Sequence, residues 1–377
     1  MAQQINSSMK VPLLDVNAQN HPIGDELRAA FDGVLASGCF IMGGEVECFE
    51  AGVADYLGAK HAIGVSSGTD AILLALMALG IGHGDEVICP SFTFFATAGC
   101  IARTGATPVF CDCHAESFNM DFDSAASCVT ERTKAVIPVH LFGQSADMEA
   151  CLAFARKHDL AVIEDTAQSL GARYHSKACG TMGHYGTYSF FPSKNLGGLG
   201  DGGLLITQDD DLAAVATKMR NHGMHPKYHH QMVGGNFRLD ALQAALLNVK
   251  LSHYRQYTSG RQENAAYYLE QLQGIEGMVL PGAEEGNEHI WNQFTLRVLH
   301  GKRDAFKQAL LDDGIGCEIY YPVPMHQQEC FAHLTSRSDT SLEVTEQLAG
   351  EVISIPVYPE LTRKQQDIVV DAIRRFF

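Results

Sequence analysis

From about residue 55 to 210 the chain alternates short, unbroken apolar runs with amphipathic stretches of helical period, and this alternation restricts the fold more than any other feature. Glu86–Cys89 (EVIC), Pro108–Cys111 (PVFC), Ala135–His140 (AVIPVH) and Ala161–Glu164 (AVIE) each read as a strand. None alternates apolar with polar residues, so both faces are buried, as in a mostly parallel sheet covered by helices. Thr93–Arg103, stopped by Gly105, and a stretch capped by Asp147 and running to about Lys157 read as covering helices. In such sheets ligands collect at the carboxyl ends of strands and the amino ends of the helices that follow.

After about residue 250 the pattern changes. A long polar helical stretch, Leu251–Gln273, leads to separated strands at Gly277–Leu280 and Gln293–Val298 and to helices at Arg303–Asp312 and Thr362–Phe377. The reading is an α/β chain: a large domain over residues 1–250 on a mostly parallel sheet, and a smaller α+β domain over 251–377. With 377 residues, 46% of them hydrophobic, there is material for two cores. A formal charge of −17 opposes nucleic acid or an anionic membrane as partner, since both demand basic patches. Eleven scattered cysteines lack any C-x-x-C, and MAQQINSSMKVPLLD lacks the apolar stretch of a signal peptide. The longest strongly apolar helical run, Ala71–Leu79, is about half the ~20 residues of a membrane span. A soluble protein of the reducing cytoplasm is expected, with most thiols acting as small core residues.

Several motifs have competing readings. Gly198–Gly203 (GLGDGG) matches G-x-G-x-x-G, but Leu204–Thr207 after it reads as a strand where a dinucleotide site needs a helix. A turn beside a bulky ligand is the better reading. His222, His225, His229 and His230 lie among Gly, Pro and Tyr with no carboxylate nearby, which favours a polar loop over a metal site. Cys111 and Cys113 are expected on one sheet face as ordinary thiols. Ser66–Asp70 (SSGTD) opens the apolar helix either as a plain N-cap through Ser67 or Thr69 or as a phosphate cradle of backbone N–H groups. Asp165 at a strand end and Lys194 in the Pro- and Gly-flanked SFFPSKN turn shift the balance to the cradle. An acid that keeps a pyridine nitrogen protonated, a lysine that forms a Schiff base and an anion site together fit pyridoxal phosphate.

With these residues in place the chain resembles the DegT/DnrJ/StrS family of nucleotide-sugar aminotransferases, which has the type I, aspartate aminotransferase-like fold. The resemblance runs nearly the whole length, through FIMGGEVECFE, SSGTDAILLAL, PSFTFFATAGCI, EDTAQSLGA, YSFFPSKNLGGLGDGG, GGNFRLDALQAA, YYPVPMHQQ and ISIPVYPELT. It implies that Lys194 bonds pyridoxal 5'-phosphate and shuttles a proton, that Asp165 pairs with the pyridine nitrogen, and that Gln168 lies near the ring hydroxyl. It further implies that Phe94 stacks on the ring, that Gly68, Thr69 and Ser189 hold the phosphate, and that Asn236 reaches the phosphate of the other subunit of a homodimer. Arg238, Tyr321 and His326 are the candidates for lining the sugar-nucleotide pocket. Members with histidine in place of the lysine dehydrate; Lys194 therefore implies amino transfer, with L-glutamate as donor and 2-oxoglutarate as co-product. Gln168 stands where some members carry histidine and is assigned no proton transfer. Gly235 stands where the family is commonly bulkier. A UDP-linked 3-keto N-acetyl sugar is the expected acceptor, ahead of a C4-keto sugar linked to UDP, GDP or dTDP, and amino-sugar supply to a lipopolysaccharide O-antigen is the expected setting. A regulator or a non-transaminating lyase of the same fold is the contrasting expectation, although no basic helix-turn-helix is visible.

Overall fold

A computed structural model describes residues 10–337 and 341–377. Seven strands form the main sheet: β1 (His61–Val65), β2 (Glu86–Pro90), β3 (Thr107–Cys111), β4 (Thr133–Val136), β5 (Ala161–Asp165), β6 (Tyr185–Ser189) and β7 (Gly203–Thr207). Their order is β1-β7-β6-β5-β4-β2-β3, and β7 alone runs antiparallel to its neighbours. Every residue of β2 and β7 is buried, which is why these runs show no polar alternation. Successive residues enter opposite cores: Ile163 and Leu205 pack with the helix Gly68–Ala78, whereas Val162 meets Met148 and Phe154. Leu204 and Ile206 pack under Phe49 and Tyr254.

Local rules account for most boundaries. Asp147 caps the helix Met148–His158 by accepting from the Ala150 N–H at 2.9 Å. The helix expected from Thr93 begins at Phe95, after an extended Phe94. The strand expected over Ala135–His140 is shorter, because Pro138 has no N–H to continue the ladder; its carbonyl still accepts from Asp165. Cys113 lies beyond the end of β3 and packs with Phe92 and Phe118, so it enters a different core from Cys111. Eight of the eleven cysteines are buried.

The long helix begins at Ala241, well before Leu251, and runs to Gln271. Its first half packs on the main sheet through Ala244, Leu247 and Tyr254. Its second half contributes Ala265 and Tyr268 to a second core around the antiparallel strands Met278–Val279, Phe294–Val298 and Val352–Ile355. The helix Arg363–Phe376, opened by a Thr362–Gln365 capping box, closes that core. Val11 also packs there and bridges Ile315, so the described N-terminal residues join the smaller core.

Candidate active site

The helix Gly68–Ala78 follows β1 after a two-residue link, with Ser67 extended at its N-cap. Ser67 Oγ accepts from the Asp70 N–H at 3.0 Å, and Ser66 Oγ donates to Asp70 Oδ2 at 2.6 Å. The N–H groups of Gly68 and Thr69 stand at the mouth, where a helix has no internal acceptor for them and its dipole is positive. Bare backbone is required at this mouth. A Cβ on Gly68 would fall 2.7 Å from Ser189 Cβ, and one on Gly203 would fall 2.3 Å from the Ser67 carbonyl. Ser189, the last residue of β6, thereby stands against the helix start.

On the neighbouring strand, Asp165 ends β5. Its N–H donates to the Pro138 carbonyl and its carbonyl accepts from His140, so its backbone is held from one side of the sheet. The carboxylate is buried and accepts from Thr97 Oγ1 on Oδ2 at 2.8 Å and from the Ala167 N–H on Oδ1 at 3.2 Å. Burial pushes its proton affinity up, and the Thr97 and Ala167 donors oppose that shift, helped by Lys194. Lys194 sits in the turn after β6, its N–H donating to the Phe191 carbonyl at 2.8 Å. Gly197 lets the turn close, since a Cβ there would meet the Pro192 carbonyl at 2.4 Å. Loss of water lowers the Lys194 amine to about 8, against the pull of Asp165.

Above these groups, Gln168 Oε1 accepts from the Phe142 N–H at 2.8 Å, which turns its amide nitrogen toward Tyr321 Oη at 3.0 Å. The ring of Phe94 lies 6.0 Å from that of Tyr321 and is 56% exposed, a free apolar face at the entrance.

A family model described as the DegT/DnrJ/EryC1/StrS aminotransferase family matches residues 22–374. The chain belongs to this family. The aminotransferase is 47% identical over 371 residues to a pleiotropic regulatory protein of Geobacillus stearothermophilus, covering 98% of this chain and 99% of the relative. It is 44% identical over 365 residues to a UDP-N-acetyl-3-dehydro-α-D-glucosamine 3-aminotransferase of Acidithiobacillus ferrooxidans, covering 97% of each. Its fold matches that of S. venezuelae DesV in complex with a ketimine intermediate, at a TM-score of 0.93 and 41% identity over 97% of this chain and 98% of that one.

Pyridoxal phosphate is the cofactor of this family, and the residues fit it. The glycine-dependent cradle at Gly68 and Gly203 suits a phosphate, the depressed amine of Lys194 suits an aldehyde, and the buried Asp165 carboxylate suits a pyridinium N–H. When bound, pyridoxal phosphate supplies an electron sink for the charge left on a substrate carbon.

The remaining predicted residues are placed differently. Arg238 bridges Val65 and donates to Asn221 Oδ1 at 2.6 Å. Asn236 is exposed and pairs through its backbone with Asn221. A Cβ on Gly235 would stand 2.5 Å from the Phe237 ring, so a larger side chain there requires that ring to move. Both ring nitrogens of His326 are engaged within the chain, Nδ1 by Ser91 Oγ at 2.7 Å and Nε2 by Glu346 at 3.1 Å. In the histidine-rich loop, His230 Nδ1 bonds the His222 carbonyl at 2.9 Å. Motif reading missed Thr97 and the buried His140–Glu164 pair at 2.9 Å. Glu164 also accepts the N–H groups of Gly180, Met182 and Gly183, tying β5 to the approach to β6. An ionisable residue inside the apolar AVIED run was the available signal.

Proposed function

We propose that the aminotransferase moves the amino group of L-glutamate onto a keto-sugar carried by a nucleotide, with a UDP-linked 3-keto N-acetyl sugar as acceptor. The observation that carries this reading is the meeting of Lys194, Asp165 and the Gly68–Thr69–Ser189 cradle at one end of the sheet. Lys194 Nζ binds the cofactor and afterwards moves the proton; its low proton affinity suits both tasks near neutral pH. Asp165 holds the pyridine nitrogen charged, Gln168 orients the ring hydroxyl, and Phe94 covers one ring face. Tyr321, with its oxygen accepting from Gln168, keeps its own proton to donate to substrate. Arg238 lines the sugar-nucleotide pocket, and His326 supports its wall through Ser91 and Glu346.

The acceptor is supported by the Acidithiobacillus relative, named for amino transfer at C3. A homodimer completes the site: Asn236 is exposed on its own chain, and Phe31, Leu35, Phe40 and Ile41 leave large apolar side chains uncovered. Among the described residues no helix is long and apolar enough to cross a membrane, which suits a cytoplasmic enzyme feeding amino sugars to O-antigen assembly.

The test is the absorbance of the purified protein before and after L-glutamate, followed by a panel of enzymatically generated 3-keto and 4-keto nucleotide sugars. The expected result is a yellow protein whose band moves to shorter wavelength with glutamate and which aminates the 3-keto sugar. Turnover of only 4-keto sugars would move the acceptor to C4, and a colourless protein indifferent to pyridoxal phosphate would end the Lys194 assignment. The regulatory name of the Geobacillus relative favours a second reading in which the site serves as a sensor. Transfer of 15N from labelled glutamate to sugar separates the two, since a sensor or a lyase leaves no label there.

A further inference from the structure

We infer that Thr97 is a positioning residue for the transamination, its hydroxyl fixing the orientation and charge of the Asp165 carboxylate. Thr97 is fully buried in the first turn of the helix that Phe94 opens, and its N–H bonds the Phe94 carbonyl at 3.3 Å. One rigid turn therefore carries both the ring-covering side chain and the donor to the carboxylate. Thr97 Oγ1 donates its single proton to Asp165 Oδ2 at 2.8 Å, so the same oxygen accepts from buried Thr93 Oγ1, 3.1 Å away. The bonds run in one direction, Thr93 to Thr97 to Asp165, and end on a negative charge. With the Ala167 N–H on Oδ1, each carboxylate oxygen has one donor, and rotation of the group would break both bonds.

The physical need is clear from burial. A carboxyl in a dry site gains proton affinity, and donors to its charged form oppose that gain. Without the Thr97 hydroxyl, Oδ2 loses its donor and the neutral acid is favoured. A neutral acid keeps its proton on oxygen and leaves the pyridine nitrogen uncharged, which weakens the electron sink. No atom of Thr97 contacts the reacting carbon in this scheme; it acts through Asp165.

The inference rests on the pairing of Asp165 with the pyridine nitrogen, so Asp165→Asn is measured beside the Thr97 variants. Thr97→Val keeps the shape and removes the hydroxyl; Thr97→Ser keeps the hydroxyl; Thr97→Ala removes it again should the valine protein fail to fold. Three readouts apply: the dissociation constant of pyridoxal phosphate from each apoprotein, the pH dependence of the bound cofactor's absorbance, and the rate of its change with L-glutamate. The expected result is a rate lower by about 10- to 100-fold in Thr97→Val or Thr97→Ala, the cost of one donor to a buried charge, with a shifted absorbance titration. Thr97→Ser should stay within about threefold of wild type, and the Thr97→Val apoprotein should fold but unfold several degrees below the wild-type temperature, because a buried carboxylate loses its donor. A wild-type rate and titration in Thr97→Val, or a Thr97→Ser protein as slow as Thr97→Val, would overturn the inference. Wild-type behaviour of Asp165→Asn would instead sink the pairing itself, and a slow Asp165→Asn beside a normal Thr97→Val removes only the role of Thr97.

Discussion

The floor of the site and the segment 221–238 treat polar groups in opposite ways. At the floor, Asp165, Thr97, His140 and Glu164 are buried, and each is held by partners from other strands or helices. Along 221–238 the polar side chains are exposed or half-buried, and several find partners within the same stretch, as in Arg238 with Asn221 and His230 with the His222 carbonyl. A buried charge costs several kcal/mol unless its bonds are made, so the floor tolerates little change. An exposed segment carries no such penalty. The carboxylate that suits the cofactor is thus held in the core, where substitution is costly.

The sharpest way to break this contrast is at Lys194. Lys194→Ala should lower turnover by ~1,000-fold or more, measured as amino transfer from labelled glutamate, and substantial residual activity would dissolve the assignment. Asp165→Asn should retain cofactor yet slow the glutamate-driven absorbance change by ~100-fold. Next comes stability: Glu164→Ala strips the acceptor from His140 and three N–H groups and should cost about 3–5 kcal/mol in denaturant unfolding. The same substitution strategy on the exposed side, Asn236→Ala, should leave stability unchanged and weaken the cofactor. Mixing it with Lys194→Ala protein should restore part of the activity if Asn236 serves the partner's site. The smallest effect is in pH: covalent capture of pyridoxal phosphate by apoprotein needs the free amine of Lys194. Its rate should rise with pH and level off near 8, where an ordinary lysine would keep rising toward 10.5.

Along the exposed segment 221–238 the sequence is least explicit. At the floor it speaks more clearly. Asp165 and Lys194 stand out because each follows an apolar run, and chain direction alone puts both at the same end of a parallel sheet. SSGTD announces a helix mouth because its small and hydroxyl residues precede an apolar helical run. Thr97 was equally close in sequence, three residues past Phe94, yet nothing in a lone threonine says that its hydroxyl meets a carboxylate 68 residues away.

What the sequence determined by itself is therefore local and periodic: the strands, the helix that Asp147 caps, the turn that presents Lys194, and the alternation that buries both faces of the sheet. These follow from short-range sterics and from the area an apolar run must hide. Only the tertiary structure decided that Gln168 meets Tyr321 across 153 residues, that Ser91 meets His326 across 235, and that Val11 joins the smaller core beside Ile315. Such pairings arise from how whole elements pack, and a hydrogen-bonding side chain looks the same in sequence whichever partner the packing brings to it.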